Sequence, residues 1–309
     1  MNETVRTLLQ RHPANPILRP SDIPGCAAVM NPGAAIYNGQ VVLLLSVVPL
    51  RGHPRIVPAF SDDGITFQVA PEPLITLAVE GPFAGLDEWT IDPRVTLLDG
   101  TYYIVYPASG WTHGTIGMLG KTDDFKRYER LEVISLPDNR CPVLFPDKIG
   151  GLYFRLDRPA SQAAGATIWI SSSPDLIHWG RHRPLLKGDL WWNTAKVGPC
   201  GPPILTDAGW LVIYHGVYGT SAGTMYSLGA ALLDRDDPCR VIGKTLSPIL
   251  MPEAGYERTG IVPNTVFSAG QVCWPGSDEL LVYYGAADTC VCLATGRIPE
   301  LVDACLKGL

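Results

Sequence analysis

The sequence predicts an all-β fold, a five-bladed β-propeller closed by a strand from the start of the chain. Three observations lead there. Gly (32) and Pro (28) are abundant in the 309 residues, and short apolar runs bounded by turn signals dominate over 3.6-residue periodicity, which is confined to the first ten residues and the last dozen. A turn-strand unit recurs five times. The last copy lacks its final piece, and a matching piece stands alone near the N-terminus.

The recurring strands are Val41–Val48 after Asn38-Gly39, Thr101–Tyr106 after Asp99-Gly100, Leu152–Leu156 after Gly150-Gly151, Trp210–His215 after Ala208-Gly209, and Glu279–Tyr284 after Gly276-Ser277. Counted from Gly39, Gly100, Gly151, Gly209 and Ser277, successive copies are 61, 51, 58 and 68 residues apart. A second, acidic turn marker follows the first four copies. Measured from the same glycines to Asp63, Asp124, Asp175 and Asp236, the offsets are 24, 24, 24 and 27. Each marker precedes a short outer piece: Pro73–Thr76, Leu131–Ile134, Pro184–Leu186 or Ser247–Leu250. The fifth copy runs instead into a short helix, and Asn15-Pro-Ile-Leu18 supplies the missing piece. Circular closure would leave no sheet edge open at the seam. The reading is one catalytic domain, residues 1–309.

Composition narrows the function. Net charge is −6 with a pI near 5.5, which gives no reason to expect a nucleic-acid or anionic-membrane partner. The longest apolar run, Val41–Leu50, is too short to span a bilayer. No apolar stretch of signal-peptide length opens the chain, so a cytoplasmic location is expected. The eight cysteines show no zinc-site spacing and read as free thiols.

In a propeller the heads of the innermost strands converge at one end of the axis. Here those segments are Asn31-Pro-Gly-Ala, Asp92-Pro-Arg, Arg140-Cys-Pro-Val, Gly201-Pro-Pro-Ile and Pro263-Asn-Thr-Val. Only one carries an acid at its head. Asp92, facing a polar channel, is the candidate proton donor, with Arg94 two residues on and expected on the same strand face. Lys196 precedes the fourth copy. Arg158, His215 and Asp288 end equivalent strands of the third, fourth and fifth. Arg158, Lys196 and His215 are three potential cations on neighbouring blades, a grouping suited to phosphate. Trp191, Trp192, Tyr106, Trp111 and Tyr214 are aromatics expected near the same rim, as sugar-stacking faces or as core, and Ala108–His113 is a loop that could cover the pocket.

These segments, together with Val143–Gly150, Lys196-Val-Gly198, Gly209–Val217, Pro252-Glu253 and Tyr284–Thr289, resemble glycoside hydrolase family 130 over nearly the whole chain. The resemblance implies a five-bladed propeller that acts on β-mannosides. It implies Asp92 as the single catalytic acid, Lys196, His215 and Arg158 as phosphate ligands, and Asn31, Arg51 and Asp288 as contacts to mannose. Arg94 is a further candidate sugar contact. It also implies inorganic phosphate as co-substrate, with no metal or organic cofactor. The family's mannosidase branch is expected to lack the Lys–His pair, and this chain has both. Ile91 departs from the acidic residue or Tyr often found before the catalytic Asp. Asn31-Pro-Gly-Ala favours β-1,2- over β-1,4-linked substrates.

Charge supports this reading. An inverting hydrolase needs an acid and a base on opposite faces of the sugar. Phosphate is already an anionic nucleophile, so one acid and a cationic pocket suffice. The expected products are α-mannose 1-phosphate and a shortened sugar. The alternatives are an inverting β-mannosidase on the same fold and a non-catalytic sugar-binding propeller. A homo-oligomer is compatible with all three.

Overall fold

The computed structural model describes residues 7–161, 165–221 and 223–309, and they form an almost purely β protein. Five antiparallel meanders follow one another along the chain. The first comprises Cys26–Tyr37, Gln40–Pro49, Arg55–Ser61 and Gln68–Val69. The second is Trp89–Thr90 and Arg94–Leu98, both on Thr101–Gly110, then Gly114–Thr122 and Glu129–Ser135. The third is Asn139–Leu144, Tyr153–Ser161, Ile168–Ser173 and Gly180–Leu186. The fourth is Lys196–Pro199 and Ile204–Thr206, both on Gly209–Thr220, then Gly223–Leu233 and Val241–Lys244. The fifth is Val266–Cys273, Glu279–Ala286 and Cys290–Arg297. The two-residue strand Gly165–Ala166 joins the third and fourth meanders into one sheet by pairing with both Tyr153–Ser161 and Lys196.

All five recurring strands are the second strand of their meander, and their alternation explains why. Val41, Leu43 and Leu45 enter the core between the fifth and first meanders, while Val42 and Leu44 enter the next core along. A strand buried on both faces must be apolar throughout. Such cores fill the spaces between neighbouring meanders around the molecule.

The acidic markers are Asx turns. Asp63 Oδ1 accepts from the amides of Ile65 and Thr66, Asp124 Oδ1 from those of Lys126 and Arg127, and Asp175 Oδ1 from those of Ile177 and His178. In the fourth copy the equivalent is Asp234, which accepts from Asp236 and Asp237. The offset of 27 drawn to Asp236 therefore overstates the irregularity of that copy. These hydrogen bonds favour the charged carboxylates and hold all four below the usual range, Asp63 at about 2.

Three of the five outer pieces are less regular than the sequence predicts. Pro73–Thr76, Ser247–Leu250 and Asn15–Leu18 are not regular strands. Each makes a single bridge, at Ile75, Leu250 and Leu18, and the regular outer strands of those meanders are Gln68–Val69, Val241–Lys244 and Gln10–Arg11. A proline in each piece removes an amide donor, which limits ladder formation. The pairing of the chain's start with its last meander is nonetheless present. Gln10 and Arg11 pair with Thr295 and Ala294, and Leu18 bridges Val291. Between them, Asn15 acts as a strand residue through its side chain: Nδ2 donates to the Leu293 carbonyl, and Oδ1 accepts from the Leu293 amide, each at 2.8 Å. Arg11 forms an ion pair with fully buried Glu257, whose carboxylate also accepts from the Tyr284 hydroxyl.

The helix Ile298–Lys307 packs Leu301 and Cys305 against the fourth and fifth meanders and ends on Gly308, whose φ of 63° suits a residue without a side chain. No helix among the described residues is long and apolar enough to cross a membrane. All eight cysteines are free, and Cys290 and Cys292, two apart on one strand, share a face and a core.

The Asn15 clamp is directly testable. Asn15→Ala leaves the Leu293 amide without its partner, while the Leu293 carbonyl keeps the His12 amide, at a cost of roughly 1–3 kcal/mol. A clear drop in the urea midpoint is expected, and an unchanged midpoint would show that the Asn15 side chain adds nothing to the pairing of the N-terminal segment with the last meander.

Candidate active site

Every innermost strand is interrupted at a similar depth. Bulges lie between Met30 and Gly33, between Arg140 and Val143, and between Ser268 and Gly270. Residues 91–93 separate Trp89–Thr90 from Arg94–Leu98, and residues 200–203 separate Lys196–Pro199 from Ile204–Thr206. Four of the five breaks contain proline, which cannot donate to the ladder. The residue before it is left-handed in three of them: Asn31 (φ 46°), Asp92 (φ 55°) and Cys141 (φ 57°). Asn and Asp tolerate this region better than most residues. A break of this kind re-aims a side chain out of the pleat, which is how Asn31 and Asp92 come together.

Asp92 therefore does not sit on a strand beside Arg94, as its spacing predicted. Its carboxylate Oδ1 accepts from Asn31 Nδ2 at 2.9 Å, and its amide donates to Ser46 Oγ at 2.9 Å. Asn31 Nδ2 also reaches Asp288 Oδ1 at 3.4 Å. Asp288 is itself left-handed (φ 49°), in the turn after Glu279–Ala286. Gly285 makes room for this arrangement, since a Cβ there would collide with Asn31 Oδ1. The three residues meet as acid, amide and acid.

Arg94 points elsewhere. It is 0% exposed, and its guanidinium donates to the carbonyls of Asp92 (2.7 Å), Cys200 (2.9 Å) and Pro199 (3.3 Å). It spans from the second meander to the fourth and fixes the backbone of the acid. The loop leading to Asp92 is anchored by buried Asp87, which accepts from Arg130 and from the Tyr106 hydroxyl.

The basic residues assemble as the spacing suggested. Arg158 Nη1 donates to His215 Nε2 at 2.8 Å. The Lys196 ammonium lies over the Tyr226 ring, 5.0 Å from its centroid, and its charge acts on both His215 and Asp288. Lys196 thus links the basic cluster to the acid pair. Tyr226 and Phe267 flank the imidazole.

His215 is not a cation here. It is fully buried, and burial, followed by the charges of Arg158, Arg94 and Lys196, holds its pKa well below the ordinary value. With Nε2 accepting from Arg158, its proton is on Nδ1. Asp288 shows the opposite shift. Burial, then the charge of Asp92, pushes it up to about 6, against the opposing effects of Asn31 and Lys196.

Two expected features fall outside this cluster. Arg51 is exposed in the turn between Gln40–Pro49 and Arg55–Ser61. Of the rim aromatics, Trp192, Tyr106 and Tyr214 are core, whereas Trp191 and Trp111 are exposed. Among the described residues, no group of three or more His, Cys, Asp or Glu side chains is placed to hold a metal ion.

Comparison with known proteins decides the family. The model of glycoside hydrolase family 130, described as β-1,4-mannooligosaccharide phosphorylase, matches residues 8–307. The chain belongs to this family. Among its relatives is a β-1,4-mannooligosaccharide phosphorylase of Ruminococcus albus, 32% identical over 96% of this chain and 91% of that one. A 1,2-β-oligomannan phosphorylase of a Thermoanaerobacter species is 37% identical over 89% and 92%. The solved structure of a β-1,2-mannobiose phosphorylase from Listeria innocua, in complex with β-1,2-mannobiose, superposes with a TM-score of 0.86 at 30% identity, covering 96% of this chain and 99% of that one.

Beside these family 130 motifs stands a residue that spacing alone did not single out. Arg140 is the direct cross-strand partner of Arg158, so the two guanidinium side chains leave the same face of the sheet. Its signal was its place next to the Cys141-Pro142 break, one residue before the position that Asp92 holds in the second meander.

The shifted Asp288 sets a pH test. Its folded pKa lies above the unfolded value, so between about pH 4 and 6 the folded chain retains a proton that the unfolded chain has lost. Its contribution to stability therefore falls as pH rises through that window, by at most ~3 kcal/mol. Asp288→Asn removes this slope. The variant's stability relative to wild type should improve by roughly 1–3 kcal/mol between pH 4 and 7 in urea melts, and a difference constant with pH would remove Asp288 as a strained buried acid.

Proposed function

We propose that this protein is an inverting β-mannoside phosphorylase, which uses inorganic phosphate to release α-mannose 1-phosphate and a shortened sugar. The observation that carries the reading is the junction of two clusters. The carboxylates Asp92 and Asp288 share Asn31, and Lys196 acts on both Asp288 and the Arg158–His215 pair. The five meanders, with the N-terminal segment paired on the last, are read as the blades of one closed propeller, and the site as the meeting point of their interrupted inner strands.

The roles follow from the chemistry. Asp92 protonates the leaving oxygen as the sugar departs. Asn31 holds its carboxylate, and Ser46 and Arg94 hold its backbone. Arg158 and Lys196, with Arg140 beside them, bind phosphate through charge-assisted hydrogen bonds and place an oxygen in line with the anomeric carbon. His215 is best placed to orient Arg158, and its Nδ1–H is a further donor for the anion. Asp288 and Asn31 contact the mannosyl unit. Both carboxylates reach the same amide nitrogen, so they lie on one side of the site. Asp288 is then poorly posed to activate water across the sugar from Asp92, as an inverting hydrolase requires. β-1,2-Linked substrates are favoured over β-1,4-linked ones by Asn31-Pro-Gly-Ala and by the 1,2-specific names among the relatives.

Two experiments test this. Wild-type enzyme incubated with β-1,2- and β-1,4-mannobiose should release α-mannose 1-phosphate with phosphate present and almost no mannose without it. Full-rate release of free mannose in phosphate-free buffer would make the protein a hydrolase. Lys196→Ala removes one charge-assisted contact of about 1.5–3 kcal/mol, so KM for phosphate should rise roughly tenfold or more while KM for the sugar changes much less.

Asp92→Asn keeps the shape of the side chain but removes its transferable proton. The expected loss is about 10²- to 10⁴-fold on a mannobiose, and it should shrink on an aryl mannoside, whose leaving group needs little protonation. Equal losses on both substrates would make Asp92 a sugar-positioning residue instead.

A further inference from the structure

A groove of about 690 Å³ lies between the second and third meanders, and none of the roles assigned above uses it. Its volume is within the roughly 300–1,000 Å³ of ordinary ligand pockets. One wall is the outer strand Glu129–Ser135 with the turn that follows it, and the other is the face of Tyr153–Ser161 that carries Arg155 and Asp157. The candidate active site uses the opposite face. Successive residues of a strand point to opposite sides, so Asp157 turns to the groove and Arg158 to His215. Trp169, the cross-strand partner of Asp157, lines the same groove.

A buried polar cluster forms part of the lining. Asp157 Oδ2 accepts from Arg155 Nη2 at 2.9 Å and from Asn139 Nδ2 at 3.0 Å, and Arg155 Nη1 donates to the Ile134 carbonyl at 2.6 Å. The guanidinium also lies over the Trp179 ring, 4.5 Å from its centroid. Arg155, Asp157 and Asn139 are 1%, 2% and 8% exposed. Two atoms of the cluster have no partner among the described residues: Arg155 Nε, a donor, and Asn139 Oδ1, an acceptor. Buried polar atoms are seldom left so, and both belong to residues that line the groove. Arg155 and Asp157 neutralise each other, so the cluster has no net charge with which to hold an ion. Two half-buried indoles, Trp169 and Trp179, add apolar surface to the lining.

We infer that this groove is a second, non-catalytic carbohydrate site, which takes a neutral sugar chain. Hydroxyls both donate and accept, so neighbouring hydroxyls of one sugar ring satisfy the free acceptor of Asn139 and the free donor of Arg155. The apolar face of the same ring suits an indole. An anion would find the guanidinium already committed to Asp157. The inference uses no residue of the acid or phosphate clusters and does not rest on the reaction proposed above. Such a site gives the protein a hold on a glycan that is independent of turnover.

The test is hydrogen-exchange mass spectrometry of the full chain in phosphate-free buffer, with β-1,2-mannotetraose, β-1,4-mannotetraose, cellotetraose and maltotetraose as probes. At least one probe should slow exchange in residues 133–139 and 169–179 of wild type. Titrating that protection, Trp169→Ala should weaken binding at least about fivefold, and Trp169→Phe should restore most of it. The kcat/KM of Trp169→Ala on a mannobiose should stay at the wild-type value. Absence of protection in these segments with every probe overturns the inference, and so does protection that titrates identically in Trp169→Ala. Should Trp169→Ala fail to fold, Asn139→Ala, which removes the free acceptor, is read in the same way, and the exchange map of wild type decides alone if neither folds. Light scattering addresses the other occupant, a second copy of this chain seated on the exposed rim residue Leu136. An oligomer that dissociates on Leu136→Asp, with no protection by sugar, makes the groove a subunit contact and overturns the inference. If wild type phosphorolyses no mannoside, the proposed reaction fails, while the exchange map still judges the groove: protection supports the site and its absence overturns it.

Discussion

The arrangement depends on one buried cation. Arg94 has no exposed surface and, among the described residues, forms no ion pair. A guanidinium removed from water costs several kcal/mol unless its donors are satisfied, and here three backbone carbonyls from two non-adjacent meanders do so. Two of those carbonyls, of Asp92 and Cys200, lie where the inner strands break off, at 91–93 and 200–203. The interruptions that aim side chains into the site thus also expose two of the acceptors that Arg94 needs. Removing the guanidinium would strand these acceptors and loosen the backbone of Asp92 together.

Electrostatics then divides the site into two halves joined by Lys196. On one side, two carboxylates share a single amide, and burial, together with the charge of Asp92, raises the pKa of Asp288. On the other, burial and the charges of Arg158, Arg94 and Lys196 keep His215 neutral. The imidazole can therefore accept from Arg158 and fix its direction, which an imidazolium could not do.

Much of this architecture was legible in the sequence, because a strand buried on both faces must be apolar and a tight turn must carry Gly, Asn or Asp. The five second strands and the Asx markers are such cases. The convergence of Asn31, Asp92, Arg158, Lys196, His215 and Asp288 followed from their equivalent places in the repeat. The failures have physical causes as well. Period-2 reasoning placed Asp92 and Arg94 on one face, but a left-handed residue before Pro93 rotates the chain between them. The neutral state of His215 depends on burial and on charges remote in sequence. Arg140 is paired with Arg158 only by the register of two strands. The single bridges at Leu18, Ile75 and Leu250 reflect the loss of ladder donors at proline.

The pairing of the chain's start with its last meander also constrains the order of events during synthesis. Asn15 and Leu293 are separated by 278 positions, and a ribosome adding about 5–20 residues per second needs roughly 15–55 seconds to traverse them. Throughout that interval the N-terminal segment has no partner to pair with. When Cys290–Arg297 emerges, its open edge is met by a segment already tethered nearby through the rest of the fold. Capture of that segment is an intramolecular step late in biogenesis, and until it occurs the newly made edge is the part of the nascent molecule most open to pairing with another chain.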